Sequence, residues 1–270
     1  MTTQKRRSAS WVTICAALLF LGAAYGRDAW AAGEIGELRV AVAANFSQTA
    51  ERLCRAFFAG RPGRCVLTPG ASGLLASQVA QGAPFDVFLS ADRARAQRLE
   101  VEGLAVPGTR FSYAIGRLVL WAPAHTGSAD LKTILSGGSV RTLAIANPAS
   151  APYGTAALET LRALGIDPAG RLRIVQGENV AQTLQFVASG AADAGFVAMS
   201  QVLEYEASSG TSIAQQVVEV DPSLHAPIEQ QAVLLTKAAS NDDARDLLDF
   251  LRSDAAGRII QAAGYALPPR

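Results

Sequence analysis

Apolar positions in this chain follow two rhythms. Runs at 38–43, 65–68, 85–90, 141–146, 172–175, 194–197 and 217–220 are mostly apolar, the pattern of strands buried on both faces of a parallel sheet. Between them apolar residues recur every three or four positions, as at Ala50, Leu53, Phe57 and Phe58, or Leu74, Leu75 and Val79, which predicts helices. Further helices are predicted from Asp92, over 130–135, 153–164 and 180–188, and from Met199. Two more, over 242–251 and 255–263, are read as capped by Asn241 and Asp254. Pro62-Gly63, Gly82-Ala83-Pro84, Gly165, Gly190 and Ser208-Ser209-Gly210 read as turns or loops. Strand and helix alternating in this way predict an α/β fold with parallel sheets.

Two longer β-like runs, 111–121 and 229–236, interrupt the alternation. They are read as extended crossings between two lobes, one of residues 32–114 with 233–270, the other of residues 115–232. Ligands of open α/β sheets sit beyond the carboxyl ends of the strands, so two such lobes would face each other across a cleft that closes by hinging.

The first stretch changes the picture of where the chain works. Lys5-Arg6-Arg7, an apolar run from Trp11 to Tyr25 and the small-x-small Ala29-Trp30-Ala31 predict a signal peptide over 1–31 and a periplasmic mature protein. A transmembrane anchor needs about 20 apolar residues, and Arg27-Asp28 interrupts this run too early. Removing Lys5, Arg6, Arg7 and Arg27 with Asp28 takes 24 basic and 23 acidic residues to 20 and 22, a net charge of −2. Any anion site must then be local in origin. The removal also leaves Cys54 and Cys65 as an even pair, which in an exported chain reads as a disulfide, two buried free thiols being the alternative. A metal site is the poorer reading, since His125 and His225 are the only histidines and stand far away.

Candidate chemistry gathers at four strand-to-helix junctions: Ala44-Asn45-Phe46, Gly70-Ala71-Ser72-Gly73, Ala151-Pro152-Tyr153-Gly154 and Gly177-Glu178-Asn179-Val180. A helix start carries N–H groups without intrahelical partners and a partial positive charge, and several aimed at one point make an anion site. Each piece has a plainer reading. Asn45 and Ser72 are good helix N-caps, Tyr153 is a plausible packing aromatic and Val180 is locally ordinary. Asp86 and Asp92 are read as structural, and Glu178 should point away from an anion. The anion reading prevails because all four junctions carry it together. No Gly-x-Ser-x-Gly, His-Glu-x-x-His or Walker-type phosphate loop is present, so an exported enzyme is the weaker alternative. Aromatics at 7% and the lack of a basic cluster in the mature chain argue against nucleic acid as a partner.

These stretches, with 82–92, 147–154 and 262–268, resemble the periplasmic molybdate-binding proteins of ABC transporters over essentially the whole mature chain. The resemblance implies a type II periplasmic binding fold, no enzymatic activity, no cofactor and a monomer that delivers molybdate or tungstate to an inner-membrane permease. Molybdenum would be held only as its oxyanion. The ligand groups implied are the Ala44 N–H, the Asn45 N–H or side chain, the Ser72 hydroxyl and N–H, the Tyr153 hydroxyl or N–H, and the Val180 N–H. Two departures stand out. Serine is commoner than Asn45 in the first loop, and no tyrosine follows residues 196–198, where many members place a ligand; Tyr153, in an Ala-Pro-Tyr-Gly loop shared with a subgroup, takes that role. A receptor for another oxyanion, such as sulfate, is the alternative within the same fold.

Overall fold

The structure, a computed structural model, describes residues 36–269 apart from 126, 128, 168 and 169. The expected signal peptide over 1–31 lies outside the described residues. From Glu37 onward the chain forms one compact unit built on two five-stranded sheets. No described helix is long and apolar enough to cross a membrane.

The chain begins with β1 (Glu37–Ala43), a 3-10 turn (Ala44–Phe46), α1 (Ser47–Phe57), β2 (Arg64–Gly70), α2 (Ser72–Ala80), β3 (Val87–Ser90), α3 (Arg93–Val101) and β4 (Phe111–Gly116). It continues through β5 (Leu118–Trp121), α4 (Leu131–Ser136), β6 (Thr142–Ala146), α5 (Pro152–Ala163), β7 (Arg173–Gly177), α6 (Val180–Ala188), β8 (Ala194–Ala198), α7 (Met199–Ser209) and β9 (Val217–Glu219). Last come β10 (Ile228–Leu234), α8 (Asp242–Leu251) and α9 (Asp254–Ala262).

The first sheet has the order β2-β1-β3-β10-β4, and the second β7-β6-β8-β5-β9. In each, three parallel strands carry the α/β units, β1 between β2 and β3 and β6 between β7 and β8. An antiparallel strand, β10 or β5, then extends the sheet. Both faces of each sheet are covered, as a parallel sheet requires. On the first, α1, α8 and α9 bury Leu53, Phe57, Leu247 and Ile260 against one face, and α2 and α3 bury Leu75, Val79 and Leu99 against the other. On the second, α4 and α5 bury Leu135 and Leu161, and α6 and α7 bury Leu184 and Val202.

Three features differ from the sequence reading. The run 111–121 is not one strand: β4 pairs with β10 in the first sheet, β5 pairs with β8 in the second, and Arg117 lies between them. The chain returns to the first sheet over 220–227. Asp254 is not the cap of the last helix but its first residue, because the Ser253 hydroxyl takes the Ala256 N–H. The expected loop at 208–210 is shorter, since α7 runs to Ser209 and Gly210, at φ 68°, ends it in the left-handed conformation.

Cys54 and Cys65 are bonded, with Cα atoms 6.0 Å apart, joining the end of α1 to β2. The bond closes a separation of 11 residues, for which loop-closure entropy gives about 3 kcal/mol. The double variant Cys54→Ser/Cys65→Ser should therefore lose about 2–3 kcal/mol in urea denaturation. Thiol titration of the unfolded, unreduced wild type should find neither Cys54 nor Cys65 free.

Candidate functional site

All four junctions open onto one small cavity between the two sheets. It is tight, with about 10 Å³ of room for the centre of a water-sized sphere, and its walls include Ala44, Asn45, Ser72, Tyr153, Asn179 and Val180. No wall residue is ionisable as a carboxylate or a cation. Among the described residues no group of three or more His, Cys, Asp or Glu could hold a metal ion. The chemistry offered is therefore that of neutral donors. The turn Ala44–Phe46 follows β1, Ser72 follows β2, Tyr153 follows β6 and Val180 follows β7, so each donor group stands at the carboxyl end of a parallel strand.

The donors differ in what else they do. Asn45 is buried, and its Nδ2 donates to Gln230 Oε1 and to the Tyr265 hydroxyl, each at 3.1 Å. Both amide hydrogens are thereby committed inside the protein, which leaves Asn45 its backbone N–H for a ligand. Asn45 caps no helix: the 3-10 turn and α1 both lack a side-chain cap. Ser72 is the first residue of α2 rather than its cap, and its Oγ accepts from the Ala91 N–H at 2.9 Å. With that acceptor role filled, the Ser72 hydroxyl hydrogen is free to be donated.

Tyr153 is 2% exposed, and its hydroxyl has no hydrogen-bond partner. Such an orphan is unusual inside a folded protein. Burial, with Tyr265 and Tyr113 nearby, pushes the Tyr153 hydroxyl well above its ordinary range, so it stays protonated and a donor. The Asn179 carboxamide caps α6 by taking the Ala181 and Gln182 N–H groups at 3.0 and 3.1 Å. The Val180 N–H, at the helix start, is the one it leaves. Glu178 is exposed, and its N–H donates to Gln182 Oε1. Asp86 and Asp92 serve structure: Asp86 accepts from the Arg39 N–H, while Asp92 caps α3 and pairs with Arg95.

Direct contacts join the sheets around the cavity. On one flank the Gly73 N–H donates to Ser150 O at 2.9 Å, and Arg95 Nη2 donates to Ala149 O at 3.0 Å. A Cβ on Gly73 would stand 3.0 Å from Ser150 Cα and O, so the backbone contact across the cleft would have to loosen slightly to admit it. On the other flank Ser200 Oγ lies 3.1 Å from Asn45 O. Gln230 and Ser200 were thus not singled out by reading the sequence, while Gly73 and Tyr265 stood in stretches it quoted without a role of their own. The one local signal was the pair of glutamines, Gln230 and Gln231, inside an otherwise apolar run.

A wider groove of about 350 Å³ adjoins the cavity and shares Ala44 and Asn179 with it. Glu204 lines this groove from α7, and its Oε1 lies 3.8 Å from Arg52 Nη2 on α1. The side chain is 11% exposed, and Oε1 has no hydrogen-bond partner. Burial raises the Glu204 carboxyl to about 7, against the pull of Arg52 and with a push from Glu51.

Residues 38–266 match the family described as bacterial extracellular solute-binding protein. The molybdate-binding protein ModA of Azotobacter vinelandii is 40% identical over 236 residues, 87% of this chain and 92% of that protein. ModA of Rhodobacter capsulatus is 42% identical over 231 residues, 85% of this chain and 88% of that protein. Among solved structures, the Azotobacter vinelandii periplasmic molybdate-binding protein superposes with a TM-score of 0.79 at 38% identity, covering 86% of this chain and 100% of that one.

The raised Glu204 carboxyl gives stability a pH dependence of definite sign. Between the unfolded value near 4.5 and the folded value of about 7, the folded protein holds the extra proton. Stability therefore falls as pH rises through that interval. Glu204→Gln should melt close to wild type at pH 5 and higher than wild type at pH 8, by on the order of a few degrees in calorimetry.

Proposed function

This chain belongs to the bacterial extracellular solute-binding protein family, and on that premise we propose that it captures molybdate, and tungstate with it, in the periplasm and delivers the anion to an ABC transporter permease. It performs no chemistry on the ion. The observation that carries this reading is the small cavity reached by the junctions at Ala44-Asn45, Ser72, Tyr153 and Val180, with neutral groups alone in its walls.

A dianion stripped of water without compensation would be costly. Here each oxygen would meet N–H or O–H donors in charge-assisted bonds, reinforced by the positive ends of α2, α5 and α6. The Ser72 and Tyr153 hydroxyls supply two donors; the Ala44, Asn45 and Val180 peptides supply the rest. The neutral walls also select by protonation state. Hydrogen phosphate would bring an O–H that finds no ionised acceptor there, leaving it poorly matched. Sulfate matches molybdate in charge and shape but has shorter bonds, so its exclusion would rest on cavity size.

In this reading the two sheets are the cores of two lobes; the boundaries read from the sequence, 114/115 and 232/233, fall inside β4 and β10 of the first sheet, and the chain crosses instead at Arg117 and over 220–227. Opening would break the contacts at Gly73, Arg95 and Asn45; anion binding would favour the closed arrangement because donors from both lobes meet on one ion. The protein would act as a monomer, with residues 1–31 removed on export. A sulfate receptor is the second reading, favoured by nothing beyond the shared charge of the two anions.

Isothermal titration with molybdate, tungstate, sulfate and phosphate should give tight binding of the first two alone. Sulfate binding as tight as molybdate would overturn the assignment. Ser72→Ala and Tyr153→Phe should each weaken molybdate binding by on the order of 10-fold or more, the worth of a hydrogen bond to a charged group. Tyr153→Phe should melt close to wild type, whereas Ser72→Ala, which leaves the buried Ala91 N–H without its acceptor, should also melt lower by on the order of a few degrees. Gly73→Ala should weaken binding by propping the cleft, and small-angle scattering at saturating molybdate should show it more open than wild type.

A further inference from the structure

On the reading of the cavity as an oxyanion site, we propose that Tyr265 and Ser200 are positioning residues: a hydroxyl pair that fixes the Asn45 peptide from behind and bolts α7 to the first sheet while the cleft is shut. Neither residue lines the cavity. They act through Asn45, which does.

Asn45 is gripped at two points. The Tyr265 hydroxyl donates to Asn45 O at 2.6 Å and accepts from Asn45 Nδ2 at 3.1 Å. Ser200 Oγ lies 2.9 Å from the same tyrosine oxygen and 3.1 Å from Asn45 O. A tyrosine has one hydroxyl hydrogen, and the shortest contact assigns it to Asn45 O. The serine hydroxyl donates to the same Asn45 O and accepts a weaker share of the tyrosine hydrogen, so every oxygen in the triangle is satisfied. With its carbonyl and its carboxamide both held, Asn45 loses its freedom to rotate, and the N–H groups of Ala44 and Asn45 are presented at a fixed angle. This is preorganisation of a donor by groups that do not touch the ligand.

Tyr265 is itself held from three sides. Its ring packs edge-on to Phe46, with centroids 5.1 Å apart. The next residue bridges to the first sheet beside the crossing: the Ala266 N–H donates to Ile115 O at 3.0 Å, and the Ile115 N–H donates to Ala266 O at 2.8 Å. The preceding residue, Gly264 at φ 89°, lies so close to the start of α7 that a Cβ would be 3.2 Å from Met199 Cγ and 3.5 Å from the Ser200 N–H nitrogen. Ser200 belongs to the second sheet's α7, at the carboxyl end of β8. Tyr265 and Asn45 belong to the first. The triangle therefore crosses the cleft, and opening must break its serine corner.

The test is the rate at which the protein releases molybdate, followed by stopped flow with a chase, in wild type, Tyr265→Phe, Ser200→Ala and the double variant. Release should speed up about 5-fold in Ser200→Ala, the effect of one neutral hydrogen bond, and at least as much in Tyr265→Phe, which loses every contact of the tyrosine hydroxyl, with association close to wild type. Because both substitutions break the same serine–tyrosine bond, the double variant should release more slowly than the product of the two single effects. Ser200→Ala leaves both Tyr265–Asn45 contacts in place, so it reads the bolt even if Tyr265→Phe folds poorly. Wild-type release rates in Ser200→Ala, or effects confined to melting temperature, would overturn the proposal while leaving the oxyanion reading intact. If wild type bound no oxyanion, that reading would fall instead. The bolt would then be read from amide hydrogen exchange in the ligand-free protein. Faster exchange in Ser200→Ala confined to 44–46 and 198–201 would support it, and unchanged exchange there would overturn it.

Discussion

Peptide N–H groups at the start of a helix have no partner within the helix, and this fold brings four such starts to one point. Three are α2, α5 and α6, and the fourth is the tight turn after β1. The convergence is a product of topology. In each sheet the first parallel strand of the unit, β1 or β6, lies between its two parallel neighbours. The junctions after adjacent strands therefore emerge side by side at the carboxyl edge. Two sheets facing one another at those edges enclose a space whose walls are peptide ends, small side chains and two hydroxyls. Net charge contributes nothing to this, because the expected mature chain is slightly acidic.

Hydrogen-bond accounting separates residues that look interchangeable. Asn45 and Ser72 are both short polar residues at junctions. Yet Asn45 has both carboxamide hydrogens engaged by Gln230 and Tyr265, whereas Ser72 has only its acceptor engaged, by Ala91. One therefore stiffens the wall and the other faces the space. After burial itself, Tyr265 helps to raise the titration of both Tyr113 and Tyr153, and Tyr113 that of Tyr153. Tyr265 is fully bonded and Tyr113 donates to Gln230, while Tyr153 is left with an unanswered hydroxyl. An unpaired donor that deep would be a defect in a protein with nothing to bind there.

The sequence made the parallel units legible because each strand is a short apolar run and each helix repeats its apolar face every three or four residues. Residues 180–188 were read to their ends, and the caps at Asp92 and Asn241 were recognisable from type and position. The change of sheet at Arg117 was not legible, since 111–121 stays apolar nearly throughout and a strand break of one residue leaves no periodic mark. The plainer reading of Asn45 as a helix cap fails for a related reason. Local spacing offered it a helix start, but partners 185 and 220 residues away hold its side chain. Such pairings come from tertiary packing, which no window along the chain contains. Ser253 won the cap from Asp254 by one position, within the ordinary uncertainty of helix ends.

The placement of β10 has a consequence for how the molecule comes together. It lies between β3 and β4, antiparallel to both, yet follows them by more than a hundred residues. The second sheet, by contrast, is continuous from β5 to β9. A chain that condenses from its amino end would finish the second sheet while β3 and β4 still present unpaired edges to solvent, the state in which strands recruit wrong neighbours. Insertion of β10 is then the step that joins the two halves of the first sheet. A protein truncated before Ile228 would keep one intact sheet and one split in two.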